Sequence, residues 1–201
     1  MTSTRLQLIG DVVPKFLLPS SKEQIDLRTY LDSDSVIVDF GCGMGDATIS
    51  LLRAGNAVLA VDVHTPGICR IAQCAESMAS AKLALVFGDG IPALASGLAR
   101  SSIDTFLVLF PDPWPKARHH KRRLVQLDFL DLIASLLTGD GRLVIVTDDQ
   151  SYAEHISQIT SQCSSLHLTA NDVDVPHTRF RQRAINLGNQ ISTFTLKPAG
   201  S

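Results

Sequence analysis

VIVDFGCGMGD, residues 36–46, joins an apolar run of strand length to a turn with three glycines, Gly41, Gly43 and Gly45. Glycine lets the backbone turn tightly and approach a ligand without obstruction from a side chain. The dinucleotide fingerprint G-x-G-x-x-G needs its third glycine at position 46, where this chain has Asp. The three glycines are therefore predicted to bind a cofactor that is not a dinucleotide.

Similar apolar runs recur along the chain at residues 57–63, 83–87, 103–110 and 141–147, with stretches of helical character between them. Continuous apolar strands separated by helices are typical of a parallel sheet that is buried on both faces. We therefore predict a doubly wound α/β fold. Residues 166–169 and 191–196 alternate between polar and apolar residues, which favours an antiparallel hairpin at one edge of the sheet.

Length and composition favour one compact domain over residues 1–201, in which residues 1–31 form a lead-in of uncertain structure. Of the 201 residues, 45% are hydrophobic and 19% charged, which is enough to bury a sizeable core. No run is long and apolar enough for a signal peptide or a membrane span, so a cytoplasmic location is predicted. The four cysteines show no C-x-x-C spacing, so we expect free thiols and no metal site. No obligate protein partner is predicted.

An aspartate lies at or just after the end of each of the five predicted parallel strands. Asx turns or helix caps explain any one of these acids, but they explain five of them poorly. Ligands of such sheets bind outside the carboxyl ends of the strands, so these side chains are candidates for one site. They are Asp39, Asp62, Asp89, Asp112 and Asp148.

The charge beside the glycines favours S-adenosylmethionine as the cofactor. Asp46 would repel a pyrophosphate, whereas this methyl donor has no phosphate and carries an ammonium and a sulfonium. Asp62 is predicted to accept hydrogen bonds from ribose hydroxyls, and Asp89 to contact the adenine amino group or the nearby backbone. A nicotinamide-dependent oxidoreductase is the rival hypothesis, but neither Tyr30 nor Tyr152 is followed four residues later by Lys.

PDPWPKARHHKRR, residues 111–123, combines a proline-spaced loop with a basic segment. The prolines stiffen the loop that holds Asp112 and Trp114, although Trp114 could also be an ordinary hydrophobic anchor. Five of the chain's 18 Lys and Arg residues lie at positions 116–123, while the net charge is −2. The spacing of Leu127, Leu130, Ala134 and Leu137 predicts a helix whose first turns are basic. Positive charge opposes the dipole there, so an RNA phosphate is the predicted partner.

With these motifs, the sequence resembles the tRNA (guanine-N7-)-methyltransferase family. The resemblance rests on LFPDPWPKARHHKRR, DFGCGMG, VDVH, TDDQSYAEH and TRFRQR. It implies the class I methyltransferase fold and methylation of guanine N7 at position 46 of tRNA. It also implies that the donor is bound by Asp39, Asp62, Asp89 and Asp112, and that Asp112 is catalytic. Substrate and RNA contacts are implied at Lys116, Arg118, His119, His120, Lys121, Arg122, Arg123, Asp148, Thr178 and Arg181.

The chemistry of guanine N7 limits what Asp112 has to do. N7 has a free lone pair, so its attack on a methyl group needs no general base. An ionised carboxylate at Asp112 can orient the base and compensate the positive charge that develops on the purine. Three positions depart from the family pattern: Asp39 and Asp62 replace Glu, and Arg181 replaces the Glu of T-x-x-E. A methyltransferase with a non-tRNA acceptor and a non-catalytic RNA-binding scaffold are the alternative hypotheses.

Overall fold

The computed structural model describes residues 10–170 and 173–200. Within them, seven strands form one sheet in the order β3-β2-β1-β4-β5-β7-β6. Strands β1 to β5 pair in parallel, and β7 is antiparallel to both β5 and β6. The strands are β1 Val36–Phe40, β2 Ala57–Asp62, β3 Leu83–Phe87, β4 Ile103–Leu109, β5 Leu137–Thr147, β6 Leu166–Thr169 and β7 Ser192–Pro198. The predicted doubly wound sheet with an antiparallel edge is confirmed.

Helices cover both faces of this sheet. The α-helices of the described residues are α1 Leu27–Tyr30, α2 Asp46–Arg53, α3 Thr65–Glu76, α4 Gly90–Gly97, α5 Leu127–Leu136, α6 Gln150–Gln162 and α7 Arg179–Asn186. Buried residues of α1, α4, α5 and α6 belong to one apolar cluster, and those of α2 and α3 to a second. The two layers explain why the strands are apolar without alternation.

Strand β2 shows how the two clusters share the sheet. Ala57, Leu59 and Val61 belong to the first cluster, while Val58 and Ala60 belong to the second. All five are at most 1% exposed. Successive side chains of a strand point to opposite faces, so a strand with helices on both sides must be apolar throughout.

The order of the strands reverses between β1 and β4. From β1 the chain proceeds outward to β2 and β3, and β4 then pairs with the other side of β1. A crevice opens at such a point, beyond the carboxyl ends of the two strands. The glycine turn after β1 and the proline-spaced loop after β4 both start at this edge.

The basic segment does not begin a long helix, so that prediction is wrong. Residues Ala117–Arg122 form a separate 3-10 helix, and α5 begins only at Leu127, with Gln126 as its N-cap. The chain between them is extended and held by α6, because the Tyr152 hydroxyl and the His155 ring bond the backbone of Val125. The basic residues therefore do not lie at the N-terminus of α5, and Leu137 begins β5 rather than extending the helix.

Residues 10–31 pack against the sheet, whereas residues 1–9 of the predicted lead-in lie outside the described residues. Val12 and Val13 are buried in the cluster of α2 and α3. Backbone hydrogen bonds join Leu85 of β3 to Phe16 and Leu18. In the part of the chain that is described, no helix has the length and apolar character needed to cross a membrane.

Candidate active site

A cavity of about 390 Å³ lies at the carboxyl ends of β1 and β4. Its walls come from the glycine turn, the end of β2, the proline-spaced loop and the start of α7. Four carboxylates line it, Asp39, Asp46, Asp62 and Asp112, and Arg122 is the one formal cation among its described lining residues. Such a site is better suited to a cationic ligand than to a phosphate group.

The glycine turn needs its glycines for two different reasons. Gly41, Gly43 and Gly45 have φ of 75°, 54° and 79°, which side chains rarely tolerate. Gly41 and Gly43 line the cavity. Gly45 is not among the lining residues, and a Cβ there would lie 2.3 Å from Ile71 Cγ1 of α3. Gly45 therefore permits close packing of α3, and its predicted contact with the cofactor has no support from this geometry.

A fourth glycine, Gly67, was missed by the sequence reasoning. It lies in the first turn of α3, and a Cβ at this position would come within 1.6 Å of the Gly43 carbonyl oxygen. The backbones of the turn and the helix are thus in direct contact. The signal was faint in the sequence, because an isolated glycine in a helix has several explanations.

Asp39 is enclosed at the inner end of the cavity, with 1% of its surface exposed. The Thr48 hydroxyl of α2 donates a hydrogen bond of 2.6 Å to Asp39 Oδ2. Burial raises the pKa of Asp39 to about 6, although the hydrogen bonds from Thr48 oppose this shift. The ionised form is therefore costly and would be favoured by a cation in the cavity.

Asp62 binds the backbone of two loops at once. Its Oδ2 accepts from the Gly43 N–H at 2.6 Å, and its Oδ1 accepts from the His64 N–H at 2.7 Å. The side chain is half-buried and lines the cavity. Each oxygen keeps a second lone pair, so the predicted bond to ribose hydroxyls remains sterically and chemically available.

Asp89 and Asp148 do not line the cavity with the other strand-end acids. Asp89 is exposed and is the N-cap of α4, where its side chain accepts from the Ile91 N–H at 3.2 Å. Asp148 Oδ2 accepts from Asn189 Nδ2 at 2.9 Å. Helix capping, the ordinary explanation of a strand-end aspartate, thus accounts for the observed contact of Asp89.

The proline-spaced loop presents Asp112 and Trp114 to the cavity. Phe110 and Trp114, on either side of Asp112, have left-handed φ of 52° and 46°. Such conformations cost about 1–3 kcal/mol each for bulky residues and persist where the surroundings enforce them. Asp112 is exposed. The surroundings that enforce these conformations fix this carboxylate and the indole relative to one another at the cavity wall.

Trp114 is a wall of the cavity and is half-buried. The guanidinium carbon of Arg122 lies 5.0 Å from the centre of the indole ring, within the range of a cation–π contact. The His119 ring meets the same indole edge-on at a centroid distance of 5.8 Å. The 3-10 helix is thus fastened to the loop through Trp114.

Arg123 has an internal role, so its predicted contact with RNA has no support from this geometry. Its side chain is 3% exposed and donates to the Pro113 carbonyl, the Ser151 carbonyl and the Ser151 hydroxyl. The guanidinium also lies 5.1 Å from the centre of the Tyr152 ring. Arg123 therefore ties the proline-spaced loop to α6 and has little surface left for a phosphate.

The remaining predicted RNA contacts lie on one segment that reaches the cavity at Arg122. Lys116, Arg118, Lys121 and Arg122 are exposed, while His119 and His120 are half-buried. Of these residues, only Arg122 lines the cavity itself. We call residues 116–122 the basic rim.

Thr178 and Arg181 lie at the start of α7. Thr178 lines the cavity and is the N-cap of the helix, accepting at its hydroxyl from the Arg181 N–H at 3.1 Å. The Arg181 side chain folds back toward the Val175 carbonyl at 3.3 Å and is not among the lining residues. Phe180, which was missed by the sequence reasoning, lines the cavity and is 57% exposed.

Asp46 is paired with two arginines, so its charge is less able to repel a pyrophosphate than the sequence suggests. Arg70 Nη1 and Arg179 Nε each lie 2.7 Å from its carboxylate. Desolvation would raise the pKa of Asp46, but the hydrogen bonds from Arg179 and Arg70 outweigh it and lower the pKa. The acidity of the cavity rests more on Asp39, Asp62 and Asp112 than on Asp46.

Neither a disulfide nor a cluster of metal-binding side chains is found among the described residues. Cys42, Cys69, Cys74 and Cys163 form no disulfide. Across residues 10–170 and 173–200, no three His, Cys, Asp or Glu side chains cluster in a way that could hold a metal ion.

Comparison with known proteins identifies the family. A family described as "Putative methyltransferase" matches residues 33–194. The chain is 35% identical to the tRNA (guanine-N(7)-)-methyltransferase of Nitrosospira multiformis over 190 residues, which are 90% of this chain and 82% of that protein. This chain belongs to the tRNA (guanine-N(7)-)-methyltransferase family. A Burkholderia pseudomallei member is 33% identical over 96% of this chain and 76% of its own length.

Solved structures share the fold of this family member at low sequence identity. The Burkholderia thailandensis 1,6-didemethyltoxoflavin-N1-methyltransferase matches with a TM-score of 0.58 and 17% identity, over 86% of this chain and 75% of that chain. The aminoglycoside resistance methyltransferase NpmB1 matches with a TM-score of 0.54 and 16% identity, over 88% and 95% respectively. At this identity the likeness concerns the fold alone.

Proposed function

We propose that this protein transfers a methyl group from S-adenosylmethionine to N7 of the guanine at position 46 of tRNA. The observation that carries the proposal is the cavity itself, in which the glycine turn, Asp39 and Asp62 meet the Asp112–Trp114 loop beside the basic rim. The reaction is also supported by the chain's membership of the tRNA (guanine-N(7)-)-methyltransferase family, whose relatives in Nitrosospira multiformis and Burkholderia pseudomallei have this name.

The residues present fit the proposed donor. S-adenosylmethionine supplies a methyl group on a sulfonium and also carries an ammonium group. The buried Asp39 and the half-buried Asp62 lie in the same cavity, so opposite charge favours a cation there. A volume of about 390 Å³ falls in the usual range of small-molecule sites.

Asp112 and Trp114 are proposed to hold the target base. The carboxylate of Asp112 can accept hydrogen bonds from the guanine edge and stabilise the positive charge that methylation places on the purine. The lone pair of N7 attacks directly, so no residue has to remove a proton. The indole of Trp114 offers a flat surface whose position Arg122 and His119 help to fix.

The basic rim is proposed to bind the phosphates of the tRNA. Lys116, Arg118, Lys121 and Arg122 are exposed, and Arg122 also lines the cavity, so this segment can neutralise a polyanion. Substrate contacts at His119, His120, Asp148, Thr178 and Arg181, and a donor contact at Asp89, remain predictions from the family resemblance. A cytoplasmic location also remains a prediction.

The test is a methyl-transfer assay with two tRNA transcripts. The protein is incubated with labelled S-adenosylmethionine and either an unmodified transcript or the same transcript with G46→A. Label is expected in the first and not in the second. Equal labelling of both would move the target elsewhere in the RNA. Donor binding without labelling of any tRNA would favour another acceptor, and the absence of donor binding would favour a non-catalytic scaffold.

A further inference from the structure

A second cavity, of about 440 Å³, adjoins the first one, which we call the donor cavity. Asp46 and Thr178 line both cavities, so the two are direct neighbours. Helices α2, α3 and α7 form its walls. Its lining contains three arginines, Arg53, Arg70 and Arg179, together with His177 and Gln182.

The charge in this second cavity is positive and only partly compensated. Asp46 is its one described carboxylate, and it pairs with Arg70 and Arg179. A guanidinium has five N–H donors, and Asp46 is reached by one side-chain nitrogen of each arginine. The side chains of Arg70 and Arg179 keep 43% and 65% of their surface exposed. Donors therefore remain for a further anion.

Arg53 has no carboxylate partner within residues 10–170 and 173–200. Its one described contact is a 4.0 Å approach of Nη2 to the sulfur of Cys74. It lies at the end of α2, where its charge already suits the helix dipole, and it faces the same cavity as Arg179. A planar, permanently charged guanidinium held in this way matches the geometry of a phosphate group.

We infer that Arg53, Arg70 and Arg179 form a second phosphate-binding site, which takes the backbone of the tRNA. This inference rests on the proposed function and adds to it a second anchor. Arg122 of the basic rim contacts Trp114 of the donor cavity, whereas the three arginines line the neighbouring cavity that shares Thr178 with it. RNA phosphates bound at both groups would hold the strand at two points beside the donor cavity.

The test compares Arg53→Gln with a matched control, Arg100→Gln. Both residues are exposed, but Arg100, which lies just before β4, is not among the residues that line either cavity. For each protein, the Kd for tRNA is measured at several salt concentrations, and the Kd for S-adenosylmethionine is measured separately. One lost phosphate contact should lower the log–log salt slope by about 0.7–0.9. We expect this change in Arg53→Gln alone, with a roughly threefold to tenfold weaker Kd at low salt and unchanged donor affinity.

Arg53→Lys provides the conservative variant, since it retains the point charge and should recover most of the salt slope. A salt slope and tRNA Kd of Arg53→Gln equal to those of Arg100→Gln would overturn the second site. Failure of the proposed function gives a different result, because the wild-type protein would then neither bind tRNA with a steep salt dependence nor methylate it.

Discussion

The carboxylate of Asp39 is buried with a single side-chain donor, the Thr48 hydroxyl, and its pKa is raised to about 6. An acid whose pKa is higher in the folded protein than in the unfolded chain destabilises the fold when it ionises. The loss begins near the unfolded pKa of 3.8 and is complete above the folded pKa of about 6. At neutral pH it amounts to about 3 kcal/mol.

Asp39→Asn should remove this pH dependence, because the amide oxygen can still accept from Thr48 but cannot ionise. Between pH 5 and pH 7.5, the free energy of unfolding of the wild type should fall by about 1 kcal/mol relative to the variant. Denaturant unfolding of both proteins at the two pH values measures the difference. A difference independent of pH would show that Asp39 is not the buried titrating group.

Asp112 is exposed at the cavity wall, and its proposed role is electrostatic. Asp112→Asn keeps the shape but loses the charge that compensates the cationic purine. We expect kcat to fall by about 10²–10³-fold, with little change in unfolding free energy. Single-turnover methylation at saturating donor and tRNA measures this effect. Full activity of the variant would exclude the role given to this carboxylate.

At the scale of elements, Arg123 connects the proline-spaced loop to α6 through three hydrogen bonds. Arg123→Gln should lower the free energy of unfolding by roughly 2–4 kcal/mol, because buried acceptors lose their donors. The matched variant Lys121→Gln removes an exposed charge from the basic rim and should change stability by less than about 0.5 kcal/mol. Lys121→Gln should instead weaken tRNA binding and lower its salt slope. A loss of stability in Lys121→Gln together with a loss of tRNA binding alone in Arg123→Gln would contradict these roles.

The contact between α3 and the glycine turn can also be tested by mutation. A Cβ at Gly67 cannot fit against the Gly43 carbonyl, so Gly67→Ala should displace the turn. We expect the affinity for the donor to fall by about tenfold or more, which is a loss of at least about 1.4 kcal/mol in binding free energy. Gly97→Ala at the end of α4 meets no atom within 4 Å and should leave donor affinity unchanged. Calorimetric titration with S-adenosylmethionine compares the two. Equal affinities would mean that the turn adapts to the added methyl group.

At the scale of the whole molecule, the fold was predictable because its strands are buried on both faces. That burial appears in the sequence as continuous apolar runs such as residues 57–61, and the glycine turn marks the first crossover. The alternating pattern of the last two strands equally indicated their place at the edge. Asp39, Asp62 and Asp112 were brought to one cavity, as expected from the carboxyl ends of neighbouring strands.

The features that the sequence did not reveal are contacts between residues distant in sequence. The burial of Arg123 depends on Ser151 and Tyr152 of α6, and the pairing of Asp46 depends on Arg179, 133 positions away. Local charge patterns cannot distinguish such internal arginines from exposed ones. The break before α5 has the same origin, because α6 rather than helix propensity holds residues 123–126.

The central claim is that this fold places a tRNA guanine against a methyl donor so that N7 is methylated. Mass spectrometry of the nucleosides from a tRNA transcript treated with the protein and S-adenosylmethionine tests that claim. The predicted result is 7-methylguanosine, approaching one per tRNA and absent when the donor is omitted. A different methylated nucleoside, or none while the protein binds both donor and tRNA, would contradict the claim.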